Sequence, residues 1–309
     1  MDPDPAGQPG SLTPPAFGEF AAIARWTTPR TPAHVHTGPG DDVAWIHGAG
    51  RTLALSVDTV VEGVHFRFDW SSPEDVGWKA AAAALSDLAA ARARPTGALV
   101  SLCVPRGEFA PGGLADRCMA GLREALESYG CPLLGGDTVR TDGPTTISVT
   151  VIGEATAAGP LLRSGAQPGD LVLLSGPTGR AGFAVETLLA GDTPDPAFAD
   201  AHRRPTPRLD LLDALGTATA GIDVSDGLLA DAAWIARASG VALVLDRDAL
   251  PASDVPDRCM LGGGDDYELV VTAPQPLPGF HVIGAVAPGP AALRWSDGTA
   301  AEPAGWEHA

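Results

Sequence analysis

Aspartate is a poor strand former and a costly residue to bury, yet Asp58 stands in the middle of the apolar run LALSVDTVV. Asp87 is likewise enclosed by AAAALSDLAAA, and GIDVSDGLLADAAW places Asp223, Asp226 and Asp231 around a strand-to-helix turn. Further acids follow glycine: Asp41 and Asp42 after Gly38-Pro39-Gly40, Asp137 after Gly135-Gly136, Asp265 and Asp266 after Gly262-Gly263-Gly264. Glycine before an acid allows backbone to approach a ligand closely or to adopt a positive φ. A chain carrying acids at strand ends and in the loops after them can gather its carboxylates from several loops into one site.

The acids are also unequal in kind, 27 Asp against 11 Glu. Glu is the better helix former, whereas Asp favours caps, turns and hard-metal sites. A formal charge of −18 excludes nucleic acid and anionic membrane as default partners, because both require a basic face. Lys79 is the sole lysine among 20 basic residues, so no P-loop of the form G-x-x-x-x-G-K-[ST] exists. Phosphate chemistry here has to neutralise charge with arginine or with metal. Cys103, Cys118, Cys131 and Cys259 form no C-x-x-C pair, which argues for buried free thiols in a reducing cytoplasm. No run of 18 uncharged apolar residues is present, and the start MDPDPAGQPGSLTPP reads as a disordered tail over 1–16.

At 309 residues two domains are expected. FGEFAAIARWT reads as a short amphipathic helix, and DDVAWIHGAGRTLALSVDTVVEGVHF as two strands about a glycine-containing hairpin. SPEDVGWKAAAAALSDLAAARA opens with a helix start signal and ends before Pro95. A strand (GALVSLCVP), a helix (GGLADRCMAGLREALESYG) and a strand (TTISVTVIGEA) follow. TAAGPLLRSGAQPGD then changes composition like a linker. Beyond it LVLLSG, TAGIDVS, VALVLD and YELVVTA read as strands, and GRAGFAVETLLAG, PTPRLDLLDALG and DGLLADAAWIARASG as helices. The fold class is α/β (α+β): a first domain over 17–155 and a second over 156–309, each a sheet backed by helices.

Read one at a time, the acids have competing explanations. Asp226 either caps the helix after Gly227 or binds metal, and Asp87 is either the solvent face of an alanine helix or a ligand. Asp58 is hardest to explain without a ligand, while Asp231, inside the helix, reads as a surface residue. Mg²⁺ is the cation this oxygen chemistry suits, since it takes carboxylates together with water and substrate phosphates.

GPGDDVAWI, LALSVDTVVEGVHF, ALSDLAAARARP, LLGGDTVR, RSGAQPGDLV, GIDVSDGLLAD, GGGDDYELVV and the terminal GWEHA occur in an order that resembles the thiamine-monophosphate kinase family. That family shares a superfamily with aminoimidazole ribonucleotide synthetase and selenophosphate synthetase. The resemblance runs from Phe17 to His308 and implies ATP-dependent phosphorylation of thiamine monophosphate to thiamine diphosphate with several Mg²⁺ ions. It implies metal ligation by Asp42, Asp58, Asp87, Asp137, Asp223 and Asp226 with oxygens of Ser56 and Val57. It further implies ATP contacts from Gly136, Asp137, Arg163 and Ser225, and thiamine-phosphate contacts from His65, Asp265 and Trp306. It implies a homodimer formed through strands of the first domain. Three departures stand out: Val57 where a threonine is frequent, Asp265 where glutamate is usual, and Ala309 where phenylalanine commonly ends the motif.

Such chemistry needs no general base, because a phosphate monoester is ionised near neutral pH (second pKa about 6). What it needs is cancellation of repulsion between two anions. The competing readings are another ATP-using superfamily member and a non-catalytic Mg-nucleotide-binding protein. A selenophosphate synthetase would want a reactive Cys or selenocysteine with a lysine in an N-terminal glycine-rich loop, and residues 1–40 hold neither.

Overall fold

The computed structural model describes residues 34–37, 40–48 and 50–306. The expected tail over 1–16, the expected helix in FGEFAAIARWT and the terminal His308-Ala309 lie outside the described residues.

The first sheet is built from β1 (Val35–Thr37), β2 (Ala44–Gly48), β3 (Arg51–Val61), β4 (Ala93–Pro105), β5 (Leu133–Thr141) and β6 (Thr146–Ala155), in the order β1-β2-β3-β6-β4-β5. All its pairings are antiparallel except β4 with β5. The β2–β3 pair is the glycine hairpin read from the sequence. Behind the sheet lie α1 (Pro73–Ala90) and α2 (Leu114–Ser128). α1 starts as the sequence signals: Ser72 caps it, and Ser72 and Asp75 bond each other's backbone N–H in a capping box.

The second sheet contains β7 (Leu171–Leu174), β8 (Ala220–Asp223), β9 (Ala242–Leu245), β10 (Leu269–Ala273), β11 (His281–Ala287) and β12 (Ala292–Trp295), in the order β12-β9-β11-β7-β10-β8. Its helices are α3 (Arg180–Leu189), α4 (Pro196–Arg203), α5 (Leu228–Ser239) and α6 (Asp257–Gly262). PTPRLDLLDALG is not the helix expected of it. It forms two 3-10 turns, Leu209–Leu211 and Ala214–Thr217, after a stretch in which Pro205 and Pro207 supply no N–H. The segment 156–170 carries no regular structure, as expected of a connection. It is held by Arg92, which donates to the carbonyls of Ala158, Gly159 and Pro160 and, across the molecule, of Leu215.

α1 is central. It is buried almost all round, from Val76 and Gly77 through Ala80–Leu85 to Leu88–Ala90. One side packs on the first sheet, while Ala89 and Ala90 join Leu161, Leu173, Leu269 and Val271 in a core shared with the second. A helix apolar on every side belongs in an interior, and alanine lets its neighbours come close. Any polar residue on it is thereby delivered to the centre of the molecule.

Candidate active site

The strand period sorts the residues of β3 between two environments. Ser56, Asp58 and Val60 face α1; Val57 and Thr59 face away, and Val57 is 61% exposed. Across the sheet the row Asp58–Val149–Val100–Gly136 lies beside the row Thr59–Ser148–Ser101–Asp137. Neighbouring residues on a strand face opposite ways, so Asp58 points inward and Asp137 outward.

On the inner side the carboxylates converge. One oxygen each from Asp42, Asp87 and Asp223 lies within 4.8 Å of the others. Asp42 comes from the segment before β2, Asp87 from the last turn of α1, and Asp223 from the end of β8. The Ser56 hydroxyl donates to Asp87 Oδ2. Arg163 Nε and Nη2 donate to Asp42 Oδ1 at 2.9 and 2.5 Å, and its backbone N–H donates to Asp41 Oδ2 at 3.0 Å. Asp42 Oδ2 is buried and has no hydrogen-bond partner among the described residues.

Such crowding shifts the acids in one direction. Burial, then the neighbouring Asp42, pushes the Asp223 carboxyl up to about 8. Burial with Asp226, Asp42 and Asp265 lifts Asp58 to about 6, and burial with Asp42 does the same for Asp41. Asp87 is raised well above its usual range by burial and by Asp58, Asp223 and Asp42, against the bond from Ser56. Burial also raises Asp42, despite the Arg163 guanidinium. A site that strains to hold protons is one that a cation would relieve. The donor set fits a hard divalent ion: oxygens only, one of them buried without a partner.

Asp226 takes part through its field on Asp58, and its carbonyl accepts from the Trp306 N–H at 3.0 Å. It is not the helix cap. The N-cap is Gly227, which has no side-chain cap bond, and the surface position expected for Asp231 is wrong. Asp231 is buried, and its Oδ2 accepts from the backbone N–H groups of Ser225, Asp226 and Gly227, each at 3.0 Å. The three donors belong to the turn that leads into α5, and they turn back onto a carboxylate in its first turn, where negative charge also suits the helix dipole. The Asp87 solvent-face explanation fails too, since α1 has no solvent face there.

Of the expected substrate residues, His65 and Asp265 are brought together through Lys79. The loop before β10 carries Asp265 and Tyr267 at φ of +66° and +54°, with Asp265 N–H on Ser225 O and Tyr267 N–H on Val224 O, both 2.8 Å. Asp265 accepts from Lys79 Nζ at 2.6 Å and from the Tyr267 hydroxyl at 3.1 Å. Burial opposes its ionisation, but Lys79 beside it holds the carboxyl below its ordinary value. His65 Nδ1 accepts from the Val61 N–H at 3.1 Å, and Trp306 is 56% exposed at the rim. Sequence reading overlooked Lys79, His202 and Tyr267. Of these only Lys79 carried a signal, a lone lysine inside an alanine helix.

The family description "AIR synthase related protein" matches this chain twice, its N-terminal domain over residues 40–155 and its C-terminal domain over 167–286. Thiamine-monophosphate kinase of Mycobacterium tuberculosis is 41% identical over 298 residues, covering 89% of this chain and 86% of that protein. The chain belongs to the thiamine-monophosphate kinase family. The Bacillus subtilis member is 38% identical over 265 residues, covering 79% of this chain and 80% of its own. Among solved structures, AaThiL complexed with AMPPCP and TMP superposes with a TM-score of 0.80 at 34% identity, covering 87% of this chain and 91% of that one. Hydrogenase maturation protein HypE, 18% identical with a TM-score of 0.69, shares the fold alone. Membership in the kinase family agrees with the inward carboxylates. Asp137, expected as a metal ligand beside these acids, lies on the edge strand β5 and faces the opposite side of the sheet, so one chain does not bring it to them.

Proposed function

We propose that this chain transfers the γ-phosphoryl group of ATP to the phosphate of thiamine monophosphate, releasing ADP and thiamine diphosphate. The observation that carries the reading is the carboxylate cluster with an Asp42 oxygen that has no partner among the described residues, beside the Arg163 guanidinium. Two anions have to meet there, and unit charges 4 Å apart repel by about 4 kcal/mol at an effective dielectric of 20. Asp42, Asp58, Asp87, Asp223 and Asp226, with the Ser56 hydroxyl and the Val57 carbonyl, would hold several Mg²⁺ ions. When bound, these supply the positive charge that lets nucleotide and acceptor approach in line.

The chain's own groups do the rest. Arg163, already anchored against Asp42, presents its guanidinium to an ATP phosphate. Ser225, held by Asp231 through its N–H, faces the nucleotide. His65, Asp265 and Trp306 receive thiamine, whose cationic ring stacks on the exposed indole. No side chain has to remove a proton, because the acceptor arrives ionised.

Gly136 and Asp137 act on the nucleotide in this reading once a second copy covers the outer face of the first sheet. A homodimer is supported by what that face exposes: Val57, Leu99 and Val139 lie on it, 61%, 41% and 42% exposed. A depression lined by Leu99, Ser101, Asp137, Ser148 and Thr150 runs between them. A domain boundary at 155/156 is supported by the segment 156–170, which carries no regular structure between the two sheets. A cytoplasmic location suits the four free thiols; no helix among the described residues is long and apolar enough to cross a membrane.

A coupled ADP-release assay tests the activity. Turnover with ATP and thiamine monophosphate, lost in EDTA and restored by Mg²⁺, is expected. Turnover with aminoimidazole precursors and none with thiamine monophosphate would overturn it, as would nucleotide binding without turnover.

A further inference from the structure

Lys79 is the only lysine of the chain, and it is 2% exposed. An ammonium group has three N–H donors, and each finds an acceptor on a different segment. Nζ lies 2.6 Å from Asp265 Oδ2, 3.1 Å from the His65 carbonyl oxygen and 3.2 Å from His202 Nδ1. His65 follows β3, Lys79 sits on α1, His202 on α4, and Asp265 in the loop before β10. Two of the three expected thiamine contacts, one from each half of the chain, therefore hang from one buried cation.

The chemistry of the three acceptors is consistent. Burial first, and then the charge of Lys79, push His202 down to about 3, so its ring is neutral and Nδ1 is available as an acceptor. The proton then lies on Nε2, which is buried with no partner among the described residues. The Asp265 carboxylate has about four lone-pair directions; Lys79 takes one and the Tyr267 hydroxyl a second, on a side chain that keeps 29% exposure. Its backbone is already committed to a left-handed φ of +66°. Direction, charge and backbone are thus all set before any ligand arrives, which is what low-cost recognition requires.

We propose that Lys79 is the positioning residue of the thiamine pocket: it touches neither phosphate, and it fixes the Asp265 carboxylate and the His65 turn in the arrangement that receives thiamine monophosphate. The inference rests on the functional reading above. It adds a residue and a specificity role to that reading, with His202 as the neutral buttress of the ammonium.

The experiment compares wild type, Lys79→Gln, Asp265→Asn and the Lys79→Gln/Asp265→Asn double variant by steady-state kinetics, with thermal unfolding alongside. Loss of a charge-assisted contact predicts that Lys79→Gln raises KM for thiamine monophosphate by about tenfold or more, with KM for ATP within about twofold. In the Asp265→Asn background the same substitution changes KM for thiamine monophosphate by less than about threefold, because the effect passes through the missing carboxylate. An unchanged KM for thiamine monophosphate in Lys79→Gln overturns the inference. So does an equal rise in both KM values, or a full further tenfold rise in the double variant. If Lys79→Gln alone does not fold, Lys79→Arg takes its place, since it keeps a cation but moves it from Asp265: a raised KM for thiamine monophosphate with KM for ATP within about twofold supports the inference, and an unchanged KM for thiamine monophosphate overturns it. A wild-type chain inactive on thiamine monophosphate would instead sink the functional reading, and the inference with it.

Discussion

A carboxylate one turn inside a helix normally faces water, and nothing in DGLLADAAW says otherwise. Asp231 is nonetheless the acceptor for three consecutive backbone N–H groups, and it shapes the loop that carries Ser225 and Asp226. Replacing it with alanine strips three donors, one buried and two part-buried, of their acceptor and should cost about 3 kcal/mol. Asp231→Asn, which keeps one oxygen, should retain more stability than the alanine variant. Urea denaturation midpoints check this, and an Asp231→Ala midpoint equal to wild type would return the residue to the surface. The cluster next to it predicts an unusual pH profile. A carboxyl whose folded pKa lies above its unfolded value holds an extra proton in the folded state. Its contribution is complete below the ordinary 3.8 and vanishes as pH rises through the folded value. With Asp41 and Asp58 at about 6 and Asp223 at about 8, that window runs from 3.8 to about 8. Asp265, lowered, acts in the opposite sense and only in acid. In EDTA the melting temperature should therefore fall between pH 5 and pH 8, and saturating Mg²⁺ should flatten the slope. A melting temperature in EDTA that rises over the same interval would contradict the cluster.

Elements read best where their signals are local. The Ser72-Pro73 start of α1 and the hairpin between β2 and β3 were both legible, because capping and turn chemistry act within a few residues. The start of α4, Asp195-Pro196, has the same form, with Asp195 accepting from the Ala197 N–H, and would have been found by the same rule. β5 was harder. Its LLGGDTVRT has two glycines and an aspartate and no local strand signal, and it is a strand because β4 offers a parallel edge. Between α1 and α2 the decisive residues are small. A Cβ on Gly77 would lie 1.9 Å from Cys118 O, and one on Gly121 would lie 1.8 Å from Glu74 O, so each helix passes with its backbone against the other. Gly121→Ala should force the helices apart and destabilise by about 3 kcal/mol. Because Asp87 and Lys79 ride on α1, kcat and KM should move with it. Unchanged stability in chemical denaturation would contradict this packing.

At the scale of the whole molecule, the outer face of the first sheet decides whether one chain suffices. Leu99→Asp, on that face and away from the inward carboxylates, should convert a dimer to monomer in sedimentation velocity. It should also lower activity, because Asp137 lies on the same face. A wild-type monomer with full activity would refute the dimer reading.

Periodicity and caps were enough to read two mixed α/β units, because each signal is written in a few adjacent positions; the siting of the aspartates raised a divalent-metal site, and the roles of single residues came from the family resemblance. The partners of those residues were not legible there. Which acids share a pocket, that Asp137 faces away from Asp58, that Asp231 turns back on its own loop and that Lys79 joins His65 to Asp265 all depend on strand register and on the passage of α1 between two sheets. Some of these contacts are short in sequence, such as Asp231 to Ser225, and others join segments as distant as Lys79 and Asp265, 186 residues apart; all of them exist only once the chain has packed.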